Sequence, residues 1–269
     1  MRSAVTAAVN TAVIHEIFSG IQGEGILVGF RQIFVRFHGC NLTCAFCDTP
    51  ASRAEAPAQY QQEPFAGSRQ WESCPNPITA EQLISMIKRL QLDYTHHSIS
   101  LTGGEPLLQR AFLDELLPRL HLEEYRTFLE TNGVLVEEMD ALSVTPHYIA
   151  MDMKLPSTTA AATLWEEHTA FLDILARRLS RTDGGFALPD RLQVKLVFAE
   201  DSMADIERAA MIISRRRSDI PCILQPVTYC PGGPETPSPA TVLEAQRIAS
   251  RRLTDVRVIP QTHVMLGQR

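Results

Sequence analysis

The chain has 269 residues, 45% of them hydrophobic and 21% charged, with a formal net charge of −6. This length can bury a large core as one domain, and the acidic balance gives no global pull toward nucleic acid; Arg215, Arg216 and Arg217 read as the solvated end of a helix. No apolar run is long enough to cross a bilayer, and the N-terminal stretch, interrupted by Thr6, Asn10 and Thr11, makes a poor signal peptide, so a cytoplasmic protein without a membrane partner is expected.

Along the chain, residues 32–37 (QIFVRF) form the first strand candidate, and a loop carrying Cys40, Cys44 and Cys47 follows it. Residues 51–77 read as a proline-containing loop insertion. Thr79 and Gln82 form a capping box ahead of Leu83, Ile84, Ile87 and Leu90, which predicts a helix. Residues 98–101 then form a strand that runs into Gly103, Gly104, Glu105 and Pro106, a sharp turn where a ligand can approach bare backbone. A helix is expected over 110–120, with Pro118 placed to end it early. Further strands are expected at 126–130, 148–153, 192–198, 222–227 and 256–260, with helices at 160–181, 202–217 and after Ser238-Pro239. Strands separated by helical crossovers favour a parallel sheet. A complete eight-unit barrel usually takes about 250 residues before insertions, so the expected fold is α/β with a partial barrel.

Three thiols in a Cys-x3-Cys-x2-Cys loop suit a 4Fe-4S cluster with one iron left for an outside ligand. The alternative is a structural zinc completed by His38, Cys74 or a distant cysteine, which would make the chain a zinc-stabilised binding protein. Cys74, Cys222 and Cys230 are too scattered to suggest a disulfide framework, and Cys74 reads as a surface thiol.

Together, the cysteine loop and Gly-Gly-Glu-Pro resemble the radical S-adenosylmethionine (SAM) superfamily. Within it, the segment from Ile14 to Thr49, with Gln-Gly-Glu-Gly upstream of the cysteines and Cys-Asp-Thr at their end, is similar to the 7-carboxy-7-deazaguanine synthases, the QueE family; LETNGV, LQPV and PQTHVMLG continue the likeness to the C-terminus. The resemblance implies an open (βα)6 TIM-like barrel in one domain spanning 1–269, with a cluster loop at 40–47 and a C-terminal substrate-site segment at 261–269. The implied enzyme is a carbon–nitrogen lyase: a 5′-deoxyadenosyl radical takes hydrogen from C6 of 6-carboxy-5,6,7,8-tetrahydropterin, the ring contracts with loss of ammonia, and SAM is re-formed. Its product is a queuosine precursor.

By the same resemblance, Cys40, Cys44 and Cys47 hold the cluster and Thr49 binds Mg2+. SAM is implied to meet Phe46, Asp48, Gly104, Asp152, Met153, Lys154, Gln225, Pro226, Val227 and Thr228. The pterin is implied to meet Ile21, Gln22, Gly23, Arg36, Thr102, Glu130, His263 and the terminal carboxylate of Arg269. A guanidinium at Arg36 suits a carboxylate because it offers two parallel hydrogen bonds. Asp152-Met153-Lys154 departs from the Ser-Pro-Lys frequent in QueE proteins and looks like the Asp-x-Lys of glycyl-radical-enzyme activases, which is the rival enzyme reading. A flavodoxin or ferredoxin is the implied electron donor, and a homodimer the implied assembly.

Overall fold

The computed structural model describes residues 10–159, 163–179, 188–229 and 231–268. Its strands are β1 (Thr11–Ala12), β2 (Ile14–Ile21), β3 (Arg31–Phe37), β4 (Gln59–Gln62), β5 (Glu72–Pro75), β6 (Ile78–Thr79), β7 (Ile99–Gly103), β8 (Thr127–Thr131), β9 (Tyr148–Asp152), β10 (Leu192–Phe198), β11 (Cys222–Pro226) and β12 (Val256–Val258). The helices are α1 (Ala80–Leu90), α2 (Arg110–Leu122), α3 (Val136–Ala141), α4 (Pro156–Thr159), α5 (Trp165–Leu179), α6 (Leu188–Arg191), α7 (Met203–Ser214), α8 (Pro239–Ala249) and α9 (Thr262–Met265).

One sheet runs in the order β12-β11-β10-β9-β8-β7-β3-β2-β4-β5, and every pairing from β3 through β12 is parallel. Because side chains alternate across a strand, each strand divides its residues between two environments. Ile33, Val35 and Phe37 of β3, Ile99 and Leu101 of β7, and Val194, Leu196 and Phe198 of β10 pack with the helices into the main apolar core. The alternate positions, Phe34 and Arg36, Thr102, Phe128 and Glu130, Ala150 and Asp152, and Gln193, Lys195 and Val197, line a cavity inside the curved sheet. Each large aliphatic side chain in the core contributes about 1.5–3 kcal/mol by its removal from water. The mixed polar and apolar face opposite is thereby held by an apolar frame.

Helix α1 begins with the expected capping box, Thr79 and Gln82 satisfying each other's backbone N–H, and buries Leu83, Ile84, Ile87 and Leu90. Helix α2 runs through Pro118 to Leu122. An interior proline costs about 3 kcal/mol, and the burial of Leu113, Leu116, Leu117 and Leu120 along the same face outweighs it. The segment 51–77 is more than a loop: after a short 3-10 turn, β4 and β5 form a hairpin, and β4 pairs with β2 to extend the sheet. The expected helix at 160–181 is observed as α5; residues 160–162 and 180–181 lie outside the described residues, as do Cys230 and Arg269.

Candidate active site

The cavity, of about 780 Å³, opens at the C-terminal ends of the parallel strands, the end at which α/β folds build their sites. Chain direction accounts for its contents. The cysteine loop leaves β3, Gly103-Gly104 ends β7, Glu130 to Asn132 end β8, Asp152 to Lys154 leave β9, and Gln225 to Thr228 leave β11. Cys40, Cys44, Phe46, Cys47, Asp48, Thr49, Gly104, Asp152, Lys154, Gln225, Val227 and Thr228 line it together with Ile21, Gln22, Gly23, Arg36, Thr102, Glu130 and His263. Met153 does not line it: as the residue of opposite parity to Asp152 it is packed in the apolar core, and its backbone N–H donates to Lys195 O at 2.9 Å. Pro226 also falls outside the lining.

Cys40, Cys44 and Cys47 are free, partly buried thiols at one wall. Burial pushes the Cys40 and Cys44 thiols above their ordinary range, with Lys154 pulling the other way. Bare thiolates are therefore disfavoured there, and among the described residues no three His, Cys, Asp or Glu side chains are drawn together as a ready-made metal site, so the thiols share a wall without converging on one point. Cys74 instead sits on β5 opposite Tyr60 and packs against the main core. A Cβ at Gly104 would lie 2.0 Å from Gly39 O and 3.1 Å from Cys40 Cβ. Only glycine lets the β7 turn lie against the cysteine loop. Glu105 turns away from the cavity: fully buried, it accepts from Leu107 N, Thr131 Oγ1 and Asn132 N at 2.7–3.1 Å, and burial raises its carboxyl to about 7 against those donors.

Elsewhere in the cavity, Glu130 accepts from Gln22 Nε2 at 2.9 Å, Ser100 Oγ at 3.1 Å and Thr102 Oγ1 at 3.1 Å. Burial and the Glu24 carboxylate push its carboxyl up, while Lys195 opposes them. Gln22 is oriented by Gln32, whose amide in turn reaches Ser98. Arg36 donates through Nε to Glu16 at 2.7 Å, its cross-strand partner on β2. His263 packs over Gly23 so closely that a Cβ there would lie 2.3 Å from its Nδ1.

Motif matching named Asp152 and Lys154 but missed Lys195 and Glu24, which join them in one charge network at the cavity floor. Lys195 Nζ lies 2.5 Å from Glu24 and 3.3 Å from Asp152, which is itself 2.7 Å from Lys154 Nζ. Burial alone would lower the Lys195 ammonium, but Asp152, Glu24 and Glu130 hold it well above its ordinary value. Asp152 Oδ1 and Gln225 Oε1 are buried without a hydrogen-bond partner among the described residues. Such acceptors call for a donor, and the ribose hydroxyls and amino group of SAM are donors, so these residues fit that ligand. The signal for Lys195 was present: in LQVKLVF it is the one charge in an apolar strand, in phase with Gln193. Glu24 lay inside the Gln-Gly-Glu-Gly motif.

A partial parallel barrel that brings three free thiols and a bare Gly-Gly turn to one rim has the architecture of radical SAM enzymes, and the Radical SAM superfamily model matches residues 34–165. The chain is 40% identical over 260 residues to the 7-carboxy-7-deazaguanine synthase of Geobacter sulfurreducens, covering 96% of this chain and 98% of that one. It is 34% identical to the enzyme of the same name from Methanothermobacter thermautotrophicus, covering 96% and 98%. The chain belongs to the 7-carboxy-7-deazaguanine synthase family. The crystal structure of QueE from Escherichia coli shares the fold, with a TM-score of 0.56 at 19% identity over 92% of this chain and 93% of that one. No helix among the described residues is long and apolar enough to cross a membrane.

Proposed function

We propose that this cavity converts 6-carboxy-5,6,7,8-tetrahydropterin to 7-carboxy-7-deazaguanine with loss of ammonia. The observation that carries the reading is the meeting, in one cavity, of three free thiols with Arg36 and the Gln22–Glu130–Thr102 network. Cys40, Cys44 and Cys47 would hold a 4Fe-4S cluster, and Phe46, Asp48, Gly104, Asp152, Lys154, Gln225, Val227 and Thr228 would hold SAM. When bound, this pair supplies reversible hydrogen abstraction at a substrate carbon, so that SAM is regenerated.

The chain's own residues bind and orient. Arg36 takes the pterin carboxylate through its planar fork, Glu130 accepts from ring N–H groups, and Gln22, Gly23 and Ile21 lie along the ring. His263 and the segment after Gln261 cover the mouth and exclude water. Thr49, whose hydroxyl now donates to Asp48 Oδ1 at 2.9 Å, would contribute to a Mg2+ completed by substrate oxygens, since magnesium keeps few protein ligands. The reading extends to a homodimer in the cytoplasm, fed electrons by a flavodoxin- or ferredoxin-like donor. Asp152-Met153-Lys154, the activase-like feature, is absorbed here into the Lys195 charge network.

The test is anaerobic turnover of the reconstituted protein with carboxytetrahydropterin, SAM and a reductant, with and without Mg2+. The expected result is 7-carboxy-7-deazaguanine and ammonia, stimulated by Mg2+. A full complement of iron and sulfide with no product would overturn the assignment.

A further inference from the structure

Gln261 makes side-chain contacts with three segments that build different parts of the cavity. Its Nε2 donates to Glu24 Oε1 at 2.9 Å and to Asp48 Oδ2 at 3.1 Å, and its Oε1 accepts from Thr228 Oγ1 at 2.6 Å. Both N–H donors and the carbonyl of the amide are therefore engaged. Two carboxylates on one side and a hydroxyl donor on the other also fix which way the amide points. Glu24 belongs to the turn after β2 that carries Gln22 and Gly23, Asp48 to the cysteine loop, and Thr228 to the end of β11. The next residue continues the tie: Thr262 N and Oγ1 both reach Gly23 O, at 2.9 and 3.0 Å, and bring His263 onto Gly23. Beyond them, Arg69 of the 51–77 insertion donates to Gly267 O at 3.2 Å and to Gln268 Oε1 at 3.3 Å, holding the far end of the same segment.

We infer that Gln261 is a positioning residue: it locks the C-terminal segment over the cavity and ties the pterin-side Glu24 to the SAM-side Asp48 and Thr228, keeping hydrogen abstraction coupled to product formation. The inference rests on the function proposed above. A neutral amide is the group that can join two carboxylates here, because it donates to both without adding charge. A glutamate at this position would set a third carboxylate against them, and like charges at this range repel. A methionine would keep the length and volume but make none of the three hydrogen bonds. Either change frees the segment, and misplacement by about 1 Å at a reacting centre costs roughly 100-fold in rate.

The experiment compares wild type, Gln261→Met and Gln261→Glu in two assays. In reconstituted enzyme, the KM for carboxytetrahydropterin and the net 5′-deoxyadenosine accumulated per product are measured. In protein without cluster or SAM, amide hydrogen exchange is followed across 262–268. Both variants are expected to raise the KM and the deoxyadenosine-to-product ratio at least tenfold, with Gln261→Glu the more severe, and to speed exchange in the tail. Wild-type ratios, KM and exchange in both variants would overturn the inference. If wild type makes no product from this pterin, the proposed function fails; faster tail exchange in Gln261→Met would then still support the tie, and unchanged exchange would overturn it.

Discussion

Replacing Lys195 by methionine removes the central cation of the cavity floor while keeping an unbranched chain of similar reach. Lys195 lies 2.5 Å from Glu24 and 3.3 Å from Asp152, and all three side chains are about 14–15% exposed. Removing one partner of a buried pair leaves an uncompensated charge and costs about 3–5 kcal/mol. Lys154 remains beside Asp152, so the lower end applies to that carboxylate and the larger effect falls on Glu24. For a chain of this size the loss corresponds to a fall in Tm of roughly 6–20 °C. Its pH dependence has a definite sign. In wild type, burial works against the ionised Asp152, but Lys154 and Lys195 prevail and hold its carboxyl below the usual range. That contribution is present above the unfolded pKa and is lost as pH falls through the folded one, so it is constant from pH 5 to 8. Without Lys195 the buried carboxyls of Asp152 and Glu130 move up, and a raised folded pKa gives stability at low pH that is lost as pH rises. The deficit of Lys195→Met should therefore narrow from pH 8 to pH 5. Urea unfolding at both pH values measures it, and Glu24→Gln combined with Lys195→Met should recover part of the loss. A deficit under about 1 kcal/mol, or one equal at both pH values, would refute this reading of the network.

Gly23→Ala should drive His263 and the start of α9 off the cavity, because the new Cβ would lie 2.3–2.5 Å from His263 ring and backbone atoms; pterin binding should weaken at least tenfold while iron content stays normal, and wild-type affinity would show that the tail repacks freely. Arg36→Lys keeps the charge but loses the planar fork, so the KM for carboxytetrahydropterin should rise while SAM cleavage without pterin persists; unchanged kinetics would make Arg36 structural. Glu105 rises from 4.5 to about 7 on folding, burial prevailing over three donors, so its contribution is fully present below about pH 4.5 and lost as pH approaches about 7. Relative to Glu105→Gln, wild type should lose stability between those pH values in urea titrations, and parallel profiles would remove the carboxyl from the account.

Most of the frame was legible because strand period and motif position agree. QIFVRF and LQVKLVF show their two faces in the alternation of apolar and polar residues, and each chemistry-bearing motif follows a strand, which places it at one rim. The Thr79–Gln82 capping box announced α1 because its hydrogen bonds are local. What was missed depends on contacts between distant parts of the chain. Lys195 meets Glu24 across 171 residues and Gln261 meets it across 237, and no local pattern encodes such a pairing. The hairpin in 51–77 was hidden because QYQQ and ESCP carry no regular apolar alternation; its place is set by pairing with β2 and by Glu63, which accepts from Ser19 N and Arg69 N. Met153 was grouped with its neighbours by motif, whereas strand parity sends it to the core.

The central claim is that the three thiols, Arg36 and the Gln22–Glu130–Thr102 network act on one bound pterin. It is tested most directly with carboxytetrahydropterin deuterated at C6, supplied anaerobically to the reconstituted enzyme with SAM, reductant and Mg2+. The account predicts 7-carboxy-7-deazaguanine as product, with deuterium appearing in the recovered SAM, and loss of both in Cys44→Ala. Product formed equally by Cys44→Ala, or SAM recovered without deuterium while wild type turns over, would contradict it.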